Sequence, residues 1–186
     1  MSTKYVLDPE DRRRLLATPA GWLATGFGSG LAPKAQGTFG SLAAIVPWLL
    51  LRTLSVEYWL AIIVVSFAVG LWACGVAGRI IGVADHRSIV WDEFVGQWIA
   101  LVPALFIHEG WTVPVAFVLF RAFDVRKPWP IGWFDRRVKG GLGVMLDDVI
   151  AGVFAAVVLY MIYLISTGII IGVLGYLIYL MFGHHS

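Results

Sequence analysis

The stretch YWLAIIVVSFAVGLWACGVAG, Tyr58 to Gly78, decides the fold: it carries no charge and is closed off by Glu57 and Arg79. Its length matches the 20 or so residues that an α-helix needs to cross about 30 Å of hydrocarbon. The whole 186-residue chain has the same character, with 59% hydrophobic residues, 14% charged residues and a mean hydropathy of +0.82. A soluble domain would carry roughly 25% charged residues, so the bilayer is the solvent to assume. The 9 Trp, 6 Tyr and 11 Phe agree with that, since Trp and Tyr favour membrane–water interfaces. A net charge of +2 points to no nucleic-acid partner. Cys74 is the single cysteine, so no intramolecular disulfide exists.

On the N-terminal side of this span, Leu42 to Leu51 is apolar with Pro47 inside it; joined to Phe39 to Ser41 it makes a short first span. On the C-terminal side, fifteen uncharged residues between Glu93 and Glu109 contain Pro103, and Gly110 to Phe120 contains Pro114. Both are short, so this hairpin is expected to bring Arg121 and Asp124 below the headgroups as walls of a buried polar pocket. Val149 to Gly183 is an uncharged run of 35 residues, about 52 Å as one helix, which overshoots the bilayer. Ser166-Thr167-Gly168 divides it, so a helical hairpin is expected, with one long helix as the alternative.

Nearly all cations, from Arg12-Arg13-Arg14 through Arg79 and Arg87 to Arg121, Arg126, Lys127, Arg136, Arg137 and Lys139, fall on one side of this layout. Arg52 is alone on the other. The positive-inside rule puts the richer side in the cytoplasm. The expected fold is an all-α integral membrane protein of about six short transmembrane or partly membrane-embedded helices with a cytosol-facing polar pocket. One domain is expected over residues 1–186: an N-terminal interfacial segment (1–25), a motif-bearing core (26–152) and the C-terminal apolar hairpin or long helix (153–186). The N-terminus does not read as a signal peptide, because Thr18, Pro19 and Gly21 interrupt its apolar run.

Four polar or glycine-rich stretches share the cytoplasmic side. In GFGSGLAPKAQGTFGS, residues 26–41, backbone amides near Gly37 to Gly40 can approach an anion, with Thr38 and Ser41 as hydroxyls at a helix start; a flexible loop with a helix cap is the alternative. In DHRSIVWDEFVG, residues 85–96, Asp92 and Glu93 stand at a helix start as ligands or as caps. His86 reads better as an interfacial residue than as a catalytic one. In RAFDVRKPWPIGWFD, residues 121–135, Arg121 and Asp124 are three apart and share a helix face, while Trp129 and Trp133 read as interface anchors. In KGGLGVMLDD, residues 139–148, Asp147 and Asp148 form an adjacent carboxylate pair at the entrance to a span and demand a partner or a cation. Mg²⁺ suits such oxygen ligands and commonly shares them with substrate phosphate.

Carboxylates for a divalent ion, together with cations and amides for an anion, are the groups of phosphoryl transfer to water. A phospholipid headgroup reaches such a pocket with its acyl chains still in the bilayer. Cys74 and Arg79 lack the spacing of cysteine phosphatases, no D-x-D-x-T/V loop is present, and the four histidines match no histidine-nucleophile pattern. A divalent-cation transporter or channel, and a non-enzymatic lipid-binding membrane protein, are the competing classes. Length and spacing leave the oligomeric state undetermined.

These motifs closely resemble the phosphatidylglycerophosphatase A family. The elements are FGSGLAP (27–33) with GTFGSL (37–42), WDEFVG (91–96) with Pro103, FRAFDVRKPWPI (120–131) with Asp135, and GGLGVMLDDVIAG (140–152). Gln36 departs from the family's P-G-T pattern. The resemblance implies a Mg²⁺-dependent enzyme of the bacterial inner membrane, active site facing the cytoplasm, that removes the terminal phosphate of phosphatidylglycerophosphate. With the motifs sharing the cytosolic side, Asp92, Glu93, Asp147 and Asp148 are the candidate metal ligands. Gly37, Thr38, Gly40, Ser41, Arg121 and Lys127 are the candidate phosphate-binding residues. Asp124, Arg121, Lys127 and Thr38 are the candidate catalytic set, with Asp124 as a ligand, base or nucleophile.

Overall fold

The computed structural model describes residues 7–83, 86–129, 131 and 141–182. Asp85, Trp133, Asp135, Arg136, Arg137, Lys139 and Gly140 lie outside them. The described residues form seven α-helices and two one-turn 3-10 segments, with no strand among them. Two short helices come first, α1 (Pro9–Leu16) and α2 (Pro19–Ala24). Each opens with proline after a capping side chain: Asp8 Oδ1 accepts from the Glu10 N–H, and Thr18 Oγ1 accepts from the Gly21 N–H. A Cβ on Gly21 would overlap the Leu15 carbonyl, so glycine is what lets the two helices fold tightly together.

The helix α3 (Gln36–Leu51) carries Pro47 in its interior, and α4 (Val56–Ile81) carries the 21-residue uncharged stretch before ending at Gly82, whose φ of 75° suits glycine. Next come α5 (Trp91–Ala100), a 3-10 turn (Val102–Leu105) and α6 (Thr112–Arg126). The last is α7 (Gly141–Phe182), a single helix of 42 residues. Of the two readings of the C-terminal run, the structure has the continuous helix: Ser166-Thr167-Gly168 makes no turn. Two helices, α4 and the 142–174 part of α7, are long and apolar enough to cross a membrane. The expectation of about six short spans is met only at the level of an all-α fold, since α5 has ten residues.

The ten-residue α5 is the hub. It packs against α3, α4, α6 and α7, and eight of its residues are buried. The tightest crossing is with α7, where a Cβ on Gly152 would strike the Gly96 carbonyl, and one on Gly96 would meet the Phe120 ring and the Asp148 carbonyl. Small residues at such crossings let backbones approach when lipid supplies no hydrophobic drive. An aromatic column fills the interior beside it. Trp91 stacks on Phe94 at 5.2 Å, and Trp98 meets Trp59 edge-on at 5.8 Å, with Trp48 beyond at 6.4 Å from Trp59. Trp48, Trp59, Trp91 and Trp98 are therefore core residues, whereas Trp129 is 82% exposed. Three of these indole N–H groups go to helix carbonyls, Trp91 to Ser66 at 3.0 Å, Trp98 to Ala44 at 2.7 Å and Trp59 to Leu51 at 3.2 Å, while Trp48 Nε1 is buried without a hydrogen-bond partner. A satisfied indole N–H offsets the cost of burying it.

Replacing Gly152 by Leu is expected to separate α5 from α7 and lower stability by about 1–3 kcal/mol, the range for overpacking. Gly168→Ala, where an added Cβ meets nothing within 4 Å, should leave the melting temperature in detergent unchanged. Equal melting of the two variants would contradict the crossing.

Candidate active site

Five pieces of chain converge at one end of the bundle: the first turn of α3, the segment before α5, the first turn of α5, the end of α6 and the second turn of α7. They enclose a cleft of about 330 Å³. Its lining includes Asp92, Glu93, Asp124, Asp147 and Asp148 on one hand, and Arg87, Arg121 and Lys127 on the other. These described residues leave a formal excess of two negative charges, which one divalent cation would offset.

Asp92 is 8% exposed, Asp147 6% and Asp148 3%, so little water screens them from one another. One oxygen each of Asp92, Glu93 and Asp148 lies within 4.8 Å of the others. Ligands about 2.1 Å from a Mg²⁺ ion stand about 3 Å apart in cis and about 4.2 Å in trans, so small side-chain movements close this set around one ion. Glu93 Oε2 and Asp148 Oδ2 are buried without a hydrogen-bond partner. Oxygen donors that are dry, anionic and unpartnered fit a hard divalent cation. Charges buried this close repel one another, and a cation among them would turn that repulsion into binding energy.

The cations are positioned by helix geometry. Arg121 and Asp124 meet at 2.6 Å across one turn of α6, the pairing that their spacing implied. The same Arg121 Nη1 lies 3.7 Å from Glu93 Oε1 and 3.4 Å from Ser41 Oγ, while its Nε has no hydrogen-bond partner. Ser41 Oγ in turn donates to the Gly37 carbonyl at 2.9 Å, tying α3 to α6 through the arginine. Lys127 follows α6 in the left-handed region, φ 42°, and its Nζ donates to Asp147 Oδ2 at 2.5 Å.

Gly37 has a steric reason to be glycine, because a Cβ there would overlap Glu93 Oε1 and crowd the Arg121 guanidinium. With no side-chain cap on α3, the N–H groups of Gln36, Gly37 and Thr38 begin the helix beside the cleft without intrahelical acceptors. The structure thus brings together Gly37, Asp92, Glu93, Arg121, Asp124, Lys127, Asp147 and Asp148. Ser41 joins through Arg121. The Thr38 side chain does not line the cleft, and Gly40 is packed against Val90, so its smallness serves helix packing. Gly26 and Gly30, earlier in the same motif, also pack closely on the 88–90 segment. His86 is buried, its Nδ1 accepting from the Ser88 N–H at 3.2 Å. Arg87 was missed by the sequence reading, which assigned it to the cytoplasmic charge bias; its place next to the D-E pair was the available signal.

The family model described as Phosphatidylglycerophosphatase A matches residues 22–163, which contain every residue of this cleft. The chain is 46% identical over 155 residues to Phosphatidylglycerophosphatase A of Escherichia coli strain K12, covering 83% of this chain and 90% of that one. It is 44% identical over 146 residues to Phosphatidylglycerophosphatase A of Haemophilus influenzae, covering 78% and 89%. No solved structure matches it. A buried carboxylate cluster inside a family match that spans most of the chain leaves one assignment: this protein belongs to the phosphatidylglycerophosphatase A family.

Proposed function

We propose that the chain hydrolyses the terminal phosphate monoester of phosphatidylglycerophosphate, giving phosphatidylglycerol and inorganic phosphate, with Mg²⁺ as cofactor. The observation that carries this reading is the cleft itself: five carboxylates, three cations and a helix N-terminus share about 330 Å³. Asp92, Glu93 and Asp148 would hold the ion, with Asp147 beside them steadied by Lys127. When bound, Mg²⁺ supplies charge neutralisation at the phosphoryl oxygens.

The chain's own groups do the rest. Arg121 and the opening amides of α3, Thr38 N–H among them, receive the phosphate oxygens. Gly37 keeps that approach open. Asp124, oriented by its pairing with Arg121, takes a proton from the attacking water as the new P–O bond forms. The bond from phosphorus to the glycerol oxygen breaks, and that oxygen leaves as the alcohol with a proton from water, while Asp124 returns its own to solvent. Lys127 neutralises Asp147 and the incoming headgroup alternately. Cation transport would use the same carboxylates, and lipid binding the same cations, but neither needs both sets together.

The helix directions put Gln36, Asp92, Lys127 and Asp147 at one end of the bundle, and the cation bias of the loops supports reading that end as the cytoplasmic one in a bacterial inner membrane. Five passes then run through α3, α4, α5 with its 3-10 turn, α6 and α7, which brings the C-terminal end of α7 to the outer surface.

Purified protein should release inorganic phosphate from phosphatidylglycerophosphate micelles only with Mg²⁺ present, and chelation should stop it. Asp92→Asn and Asp148→Asn should each slow turnover at least about 10²-fold, the scale for losing one charge-stabilising group. Unaltered Mg²⁺-dependent turnover in both would overturn the ligand assignment. For topology, in a Cys74→Ala background, Ser55→Cys should react with an impermeant maleimide in intact spheroplasts, and Lys34→Cys only after permeabilisation. The reverse labelling would invert the orientation.

A further inference from the structure

A second cavity, of about 670 Å³, lies at the other end of the bundle. The helices themselves show the opposition. Gln36 at the start of α3 lines the carboxylate cleft, while Trp48 near its end lines this cavity. For α6 the order is reversed, with Thr112 here and Asp124 there.

The walls come from the α3–α4 turn and from the loop before α6. The turn supplies Arg52 and the loop supplies His108 and Glu109, all three exposed. Both charges suit the helix ends beside which they stand. Arg52 is the C-cap of α3, where the helix dipole favours a cation. Glu109 precedes α6, where an anion is favoured, and its carbonyl accepts from both the N–H and Oγ1 of Thr112 at 3.1 and 2.7 Å. Arg52 and Glu109 line one cavity with opposite charges, yet no ion pair joins them. Trp48, Leu54 and Val113 give the cavity an apolar side.

We propose that this cavity binds a zwitterionic aminophospholipid, its phosphate on Arg52 and His108, its ammonium on Glu109, and its glycerol and upper acyl carbons against Trp48, Leu54 and Val113. Two opposite charges that line one cavity without pairing suit a headgroup that carries both a phosphate and an ammonium, two carbons apart. An anionic lipid offers nothing to Glu109 and brings its phosphate towards a carboxylate. Free phosphate uses only the Arg52 side and none of the apolar wall. Assigning the lipid to the outer leaflet rests on the sidedness proposed above; the ligand chemistry does not.

The test uses the full chain in detergent, incubated separately with a short-chain phosphatidylethanolamine, the matching phosphatidylglycerol, or inorganic phosphate. Bound ligand is read by native mass spectrometry and by the shift in melting temperature. The ethanolamine lipid should be retained in preference and should raise the melting temperature. Arg52→Gln and Glu109→Gln should each cut its retention about tenfold, the scale of one charge-assisted hydrogen bond. Glu109→Gln should also remove the preference over phosphatidylglycerol. Phosphate release at the carboxylate cleft should persist in both variants, so a failed phosphatase assay and a failed lipid assay are separate results. If Arg52→Gln melts early without ligand, Arg52→Lys replaces it and should keep most of the retention. Equal retention of the two lipids by the wild-type chain, unchanged retention in both variants, or equal stabilisation by phosphate alone would overturn the proposal.

Discussion

Mutual repulsion among carboxylates withdrawn from water is the constraint around which this protein is organised. Asp92, Glu93, Asp147 and Asp148 are brought to one place by helices whose other faces are apolar. In a dry setting such a group must be neutralised, by protons, by cationic side chains or by a metal. Arg121 and Lys127 meet part of that demand through Asp124, Glu93 and Asp147. The remaining negative excess is the part that a divalent cation could offset. A phosphatase needs both properties in one volume, because its substrate is itself a multiply charged anion.

Holding the carboxylates together falls to backbone proximity more than to side-chain bonding. The Gly96–Gly152 crossing sets the distance between α5 and α7, and so the distance of Asp92 and Glu93 from Asp148. Gly37 lets the start of α3 lie against Glu93 and Arg121. The aromatic column along Trp91, Phe94, Trp98 and Trp59 packs α5 into the interior although it has only ten residues. Such ring pairs contribute about 0.5–1.5 kcal/mol each beyond the area they bury.

Much of this was legible in the residues. A long uncharged run has one physical meaning in a charged-poor chain, so Tyr58 to Gly78 announced α4. The Arg121–Asp124 pair followed from helical spacing, and the four motifs announced a shared site because one-sided charge placed them together. Other features were not legible, for identifiable reasons. Gly40 and Gly37 look alike in sequence, but one faces Val90 and the other a carboxylate, a difference set by helix rotation. Tryptophan is equally at home at an interface and in a core, so composition alone did not separate the buried Trp48, Trp59, Trp91 and Trp98 from the exposed Trp129. Ser166-Thr167-Gly168 suggested a break because such residues are poor helix formers in water, whereas a bilayer leaves a backbone no better option than to stay hydrogen-bonded. The spans proposed here number five, and they rest on helix direction, which composition does not report.

The length of α7 has a mechanical side. At 1.5 Å per residue, Asp148 stands about 6 Å from Gly152, and Phe182 about 45 Å from it on the far side. Packing does not stop at that crossing: Ala151, Ala155 and Leu159 are fully buried, so the carboxylate end of the rod is clamped over several turns. Beyond them Ile165, Ile169, Ile171 and Leu174 are exposed. One helix thus divides its labour, its first turns serving as a rigid mount for Asp148 and its distal part as apolar surface for hydrocarbon.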